Sequence, residues 1–282
     1  MVTRRCTQRT FLLRPDPTTN QTFLYCLARA AQETGVQVVY SMVMSNHHHT
    51  IVYDPGRRVP AFNERLHSLS ARALNALRGR RENFWADEQP SQVKLIEEQD
   101  VLDKIAYAAA NPVTAHLVEQ VEHWPGAHTT AAFFNGQPLR IIRPAHFFRD
   151  NGPLPKQLVL QLAWPAHLGP VEAARKKLRQ RLDDLQALAR QQCMSERRTV
   201  LGPKGVRRQD FRASPDTWEP RRAPRPTLAA RNRWARIEAL QRTRAFLDAY
   251  RVALAEWMSG MTATFPPGTY QMCGKPRVVV LE

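Results

Sequence analysis

What this chain lacks narrows it first. It has 282 residues but only four cysteines, Cys6, Cys26, Cys193 and Cys273, far apart and with no CxxC pair. That excludes a zinc-ribbon pattern, gives no disulfide framework, and fits a reducing cytoplasm. Long apolar runs are missing as well. The longest apolar-looking stretch free of Asp, Glu, Lys and Arg runs from Thr34 to Tyr53, and it holds Gln37, Ser41, Asn46 and three consecutive histidines. Such a stretch is no lipid-exposed span, so no membrane partner is expected. The first residues are basic, but no apolar run of signal-peptide length follows them. No internal repeat is evident. Acidic residues are scarce: 25 Asp+Glu face 41 Lys+Arg, a net charge of +16 with a pI near 10.5. That deficit points to a polyanion, nucleic acid first.

What is present is ordinary in amount. Hydrophobic residues make up 43% and charged residues 23%, which excludes wholesale disorder. The length suggests about two domains. Residues 171–244 hold 20 Lys+Arg and 8 Asp+Glu, so a quarter of the chain carries +12 of the +16. The expected organisation is a nearly balanced domain over residues 1–130, then a hairpin and charged helix over 131–194. A basic, Pro-rich connector over 195–226 and a long amphipathic helix with a tail over 227–282 complete it.

The pattern predicts a strand in Val2–Leu13, closed by Pro15-Asp16-Pro17. A helix capped by Thr19 or Asn20 follows, stopped at Gly35. Val36–Met44 and His47–Tyr53 read as buried strands joined by a Ser45-Asn46 turn. Pro60 opens a helix to about Leu77, ended by Gly79. Val93–Ile96 is a short strand. Asp100, with Asp103 three residues on, caps a helix that Pro112 is expected to end at Ala110 or Asn111. The order βαββαβα predicts an α+β, ferredoxin-like sandwich. Farther on, Asn135-Gly136 reads as a hairpin turn, and the alternation of Leu158, Leu160, Leu162 and Trp164 as a half-buried strand. Thr227–Met258 reads as a helix with an apolar stripe.

Two segments carry chemistry. In Met44-Ser45-Asn46-His47-His48-His49-Thr50, strand alternation turns His47 and His49 to one face and His48 to the other. Two imidazoles so placed can share a divalent metal and leave room for a third ligand. A structurally bonded histidine cluster is the plain alternative. In Tyr107-Ala108-Ala109-Ala110-Asn111-Pro112-Val113, Tyr107 and Asn111 lie one turn apart on a helix face, with Asp103 a turn earlier. A tyrosine can be a covalent nucleophile if its electrophile is polarised, as by a metal on a phosphate oxygen. A half-buried core tyrosine reads the same way.

Together the segments resemble the single-tyrosine HUH transposases, especially the REP-associated tyrosine transposases. The family pattern M-P-N-H-hydrophobic-H-L-hydrophobic-V compares with MSNHHHTIV at 44–52. The family's Tyr four residues before N-P-V compares with YAAANPVTAHLV at 107–118. The stretch 65–85 and His123-Trp124-Pro125-Gly126 resemble the intervening and following family segments, so the likeness spans about residues 1–130. It implies that His47, His49 and Asn111 hold Mg²⁺ or Mn²⁺. It implies that Tyr107 attacks single-stranded or hairpin DNA, forming a 5′-phosphotyrosine and freeing a 3′-hydroxyl for strand transfer. It implies a cytoplasmic, nucleoid-associated enzyme, and it leaves open whether the site forms within one chain or across a homodimer. Three positions depart from the pattern: Ser45 for Pro, His116 for Gly, and His48 for a hydrophobic residue, which puts the ligand register in question.

For DNA binding beyond the site, Arg78, Arg80 and Arg81 with Trp85 offer cations beside an aromatic platform. Arg207, Arg208, Arg221 and Arg222, within the basic segment, would contact phosphates. A core Trp in a basic loop and a solvated charge run are the alternatives. Two other functions stay open. One is a two-histidine phosphoesterase built on His48-His49-Thr50 and His128-Thr129-Thr130. The other is a DNA-binding protein derived from a transposase that has lost the chemistry.

Overall fold

The computed structural model describes residues 1–218 and 226–281. Its elements, in order, are β1 (Val2–Arg5), α1 (Pro17–Thr34), β2 (Gln37–Val43), β3 (His47–Tyr53), α2 (Val59–Arg78), β4 (Ser91–Gln92), β5 (Lys94–Leu95) and α3 (Glu98–Thr114). Then follow α4 (Thr130–Asn135), β6 (Leu139–Ile142), β7 (Gln157–Leu160), α5 (Val171–Ser195), α6 (Gly202–Arg208), β8 (Leu228–Ala229), α7 (Arg233–Met258), β9 (Ala263–Phe265) and β10 (Val278–Val280). The fold mixes α and β throughout.

One antiparallel four-stranded sheet organises the molecule, in the order β2-β3-β1-β4. Its two faces are covered differently. On one, Phe23 and Leu27 of α1 and Phe62 and Leu66 of α2 pack with Val38, Val43, Phe84 and Trp85. On the other, Leu102, Ile105 and Ala109 of α3 and Leu178 and Leu182 of α5 pack with Tyr40, Met42 and Ile51. Both layers are apolar where they meet the sheet, so burial drives the assembly.

Local chemistry explains the boundaries. Asp16, rather than Thr19 or Asn20, caps α1: its carboxylate accepts from the Thr19 backbone at 2.8 Å, and Pro17 starts the helix. Gly35 and Gly79 end α1 and α2 at φ 73° and 63°, the left-handed conformation that favours glycine. The helix α3 begins one turn before the Asp100 start. Glu97 is its cap and Asp100 its third residue, in a reciprocal capping box. It also runs through Pro112 to Thr114, because Pro112 and Val113 are buried and packing outweighs the steric bias before proline. The first strand stops at Arg5.

Three expectations farther along are corrected. Asn135-Gly136 is no hairpin turn: Gly136, at φ 66°, ends α4. The strands β6 and β7 do pair antiparallel, across a longer connection. No break in the core falls at residue 130, since Ile141, Phe148, Leu158 and Leu160 join the α1–α2 layer and α5 joins the α3 layer. Nor is 195–218 an extended connector. It contains α6, buries Val206, and packs back on the first residues of the chain through Phe11–Ala213 and Arg9–Thr217 hydrogen bonds. Arg221 and Arg222 lie outside the described residues. The helix α7 starts at Arg233, and in its first half only Ala239 is fully buried.

Candidate active site

The strand β3 sets the site because its pleat divides the histidines. Opposite it on β1, Thr3 pairs with His49 and Arg5 with His47. All four side chains therefore stand on the α3 face of the sheet. His48 points the other way. It is fully buried, with Phe23, His67 and Trp85 around it at ring distances of 5.2–5.7 Å. Its Nδ1 meets the Thr50 hydroxyl at 3.0 Å and its Nε2 the Nε2 of His67 at 2.9 Å. His48 thus belongs to the core.

The rings of His47 and His49 lie 4.9 Å apart, edge to face. Their hydrogen bonds fix their tautomers. The Nδ1 of His47 faces the Asn46 Oδ1 at 2.7 Å, so that Nδ1 carries the proton. At His49, Nδ1 meets the Thr3 hydroxyl at 2.8 Å and Nε2 receives the Asn111 Nδ2 at 3.1 Å. An amide nitrogen only donates, so the His49 Nε2 holds a lone pair and the proton is on Nδ1. Burial, and then the nearby cations, keep both rings neutral. His49 is pushed down to about 4 by burial, Arg5 and Lys104, and His47 is lowered by burial, His49 and Arg5. Two neutral imidazoles with Nε2 lone pairs on one face form a donor set suited to a divalent ion. Among the described residues no group of three or more His, Cys, Asp or Glu gathers for a metal.

The helix α3 brings Asn111 and Tyr107 to this face together. Tyr107 and Asn111, one turn apart, both reach His49, with the Tyr107 ring 5.4 Å from its ring. Tyr107 is 53% exposed, which a core tyrosine would not be. Lys104, a residue that sequence spacing alone does not single out, stands 5.7 Å from the Tyr107 ring. Asp103 turns away: its carboxylate pairs with Arg181 of α5 and with Arg231. After α3 the chain turns at His116, whose φ of 54° is the left-handed value that glycine favours. Trp124 then anchors the chain to β2 by donating to the Val43 carbonyl at 2.9 Å. Gly126 permits this approach, since a Cβ there would overlap the Trp124 ring and come within 2.8 Å of that carbonyl.

The proposed DNA contacts divide. Arg78 is committed to the fold, bonding Asp16 at 3.0 Å and Thr19 at 2.8 Å beneath Phe211. Trp85 is 6% exposed and donates to the His67 carbonyl at 2.9 Å, so it offers no stacking surface. Arg80 is half-buried, while Arg81, Arg207 and Arg208 are exposed. The two H-x-T motifs lie apart. His48 and Thr50 face the α1–α2 layer, whereas Thr130 bonds the Tyr40 hydroxyl at 2.7 Å in the α3 layer. The Thr50 and Thr130 hydroxyls thus turn to opposite faces of the sheet. No helix is long and apolar enough to cross a membrane among the described residues.

No family model matches the chain, and no curated protein matches it. Among solved structures it is similar to a REP-associated tyrosine transposase bound to a REP hairpin. The identity is 18% and the TM-score 0.34, over 48% of this chain and 77% of that one. A likeness of that size leaves the functional reading to the geometry.

Proposed function

We propose that the chain is a single-tyrosine transposase of the HUH kind, which cuts and rejoins single-stranded or hairpin DNA through a 5′-phosphotyrosine. One observation carries the reading: an exposed Tyr107 stands beside two neutral histidines whose Nε2 lone pairs face the same side as Asn111. The strand order β2-β3-β1-β4, with α1 and α2 as the crossovers, supports a ferredoxin-like core beneath it.

His47, His49 and, with its amide oxygen turned inward, Asn111 would hold a divalent ion; Mg²⁺ or Mn²⁺ would take its remaining ligands from phosphate and water oxygens. A divalent ion there supplies polarisation of the scissile phosphate and neutralises its charge. The protein's own groups do the rest. The Tyr107 oxygen forms a bond to phosphorus as its proton leaves. The bond from phosphorus to the 3′-oxygen breaks, and that oxygen departs as a hydroxyl after taking up a proton. The ester conserves the energy of the broken bond, so a second 3′-hydroxyl can reverse the step without ATP. Lys104 beside the Tyr107 ring and Arg5 beside His47 place positive charge around the phosphate.

The test incubates the protein with a pool of labelled single-stranded hairpins and Mn²⁺, then denatures it. A covalent protein–DNA adduct is expected, absent with EDTA and absent in Tyr107→Phe. An adduct that persists in Tyr107→Phe refutes the nucleophile, and binding without any adduct favours a derived DNA-binding protein.

A further inference from the structure

We infer that a cavity beside the candidate site receives one nucleobase of the DNA strand, next to the phosphate that Tyr107 attacks. This rests on the transposase reading. The cavity has a volume of about 740 Å³, in the range of small-molecule sites and with room for a base together with part of its sugar. Its floor is apolar, made by Val39, Ile51, Val101 and Leu168, while Arg57 and Lys94, both exposed, border it. The carboxylate among its lining residues, Asp54, is occupied in accepting from the Val59 backbone at 2.8 Å. An apolar floor with uncompensated cations at the rim suits a flat aromatic ring that carries a phosphate. It suits an aliphatic or acidic-peptide ligand less well.

The cavity is continuous with the site on two elements. On β3, Ile51 follows His49 by two residues and shares its face, about 7 Å along the strand. On α3, Val101 in the cavity wall lies six residues before Tyr107, about 9 Å along the axis, and Lys104 stands between them on the side that turns from one to the other. A strand whose phosphate lies at Tyr107 therefore passes Lys104 and reaches the cavity with a neighbouring base. The site would then read one base by shape, which the phosphate chemistry itself cannot do.

The experiment uses the full chain and the hairpin selected by the adduct assay. Single abasic sites are walked through the strand on both sides of the cleaved phosphate. Affinity is read by fluorescence anisotropy and chemistry by adduct yield. One position is expected to lose about tenfold in affinity when its base is removed, a typical loss for one stacked base. Val101→Trp, which narrows the cavity at its α3 wall, should impose much of the same loss on intact DNA and reduce the further effect of the abasic site. Leu168→Trp narrows it from the opposite side, the double variant should abolish the effect, and circular dichroism checks that each folds. Equal affinity and yield at every abasic position, with the adduct still forming, overturns the subsite and leaves the transposase reading standing. An abasic effect that survives undiminished in the double variant places the base elsewhere and overturns it too. If no hairpin yields an adduct, the transposase reading has failed, and the subsite falls with it.

Discussion

Between His48 and His67 a single proton serves two buried nitrogens, and the pair is neutral. Burial pushes His67 down to about 3 and lowers His48 as well, each next to the other and to Arg4. In the unfolded chain both would titrate near the ordinary value of 6.5. Between that value and about 3, then, the unfolded state binds more protons and stability falls as the pH falls. The expected slope is up to about 1.4 kcal/mol per pH unit for His67, with His48 acting in the same direction, read from urea midpoints between pH 7 and pH 4. His67→Leu strands the His48 Nε2 and should cost about 1–3 kcal/mol. Adding His48→Leu should cost less than the sum of the two single changes, and strict additivity would show that the pair is not coupled. At Thr3 the hydroxyl accepts the His49 Nδ1 proton and holds the ring in its orientation. If the site takes the divalent ion proposed above, Thr3→Val should weaken Mn²⁺ binding by about 10–100-fold by titration calorimetry, while Thr3→Ser preserves it. His116→Gly should relieve left-handed strain and raise stability by about 0.5–1 kcal/mol, measured by thermal melting. Side-chain direction at 47–49 was legible in the sequence because strand parity dictates it. The partner of His48 was not, because His67 reaches it from α2 through packing that no local spacing encodes.

Elements were legible where local chemistry acts alone. Gly35 and Gly79 stop their helices because the backbone there turns left-handed, whatever the rest of the chain does. Burial overruled local signals elsewhere. Pro112 sits inside α3 because its ring is buried. Gly136 ends a helix because Phe133, three residues earlier, packs into the α3 layer and draws that segment into helical form. Trp85 and Arg78 read as a DNA surface in one dimension and prove to be packing and capping partners in three. The start of α3 offers a test of the element itself. The Asp100 carboxylate accepts from the Glu97 backbone at 3.0 Å and from the Arg231 backbone at 2.9 Å. Asp100→Ala removes both and should cost about 1–3 kcal/mol. Hydrogen exchange should quicken at residues 98–101 and 228–231 together.

For the whole molecule the +16 is a statement about salt. Exposed Arg207 and Arg208 on α6 lie beyond the end of α3, which the Leu201–His116 and Gly202–Leu117 backbone bonds hold close. If both neutralise phosphates, Arg207→Ala with Arg208→Ala should lower the log–log salt slope for single-stranded DNA by about 1.4. An unchanged slope removes them from the interface. Deleting the basic half of the chain would not be a clean version of this measurement, because α5 and residues 228–231 brace α3. That bracing also sets a timetable for synthesis. The sheet and Tyr107 emerge early, but the Asp100–Arg231 bond spans 131 residues. A ribosome adding about 5–20 residues per second would need roughly 7–26 s to deliver the second partner. The nascent chain would thus present Tyr107 on an unbraced helix until residue 231 has been made.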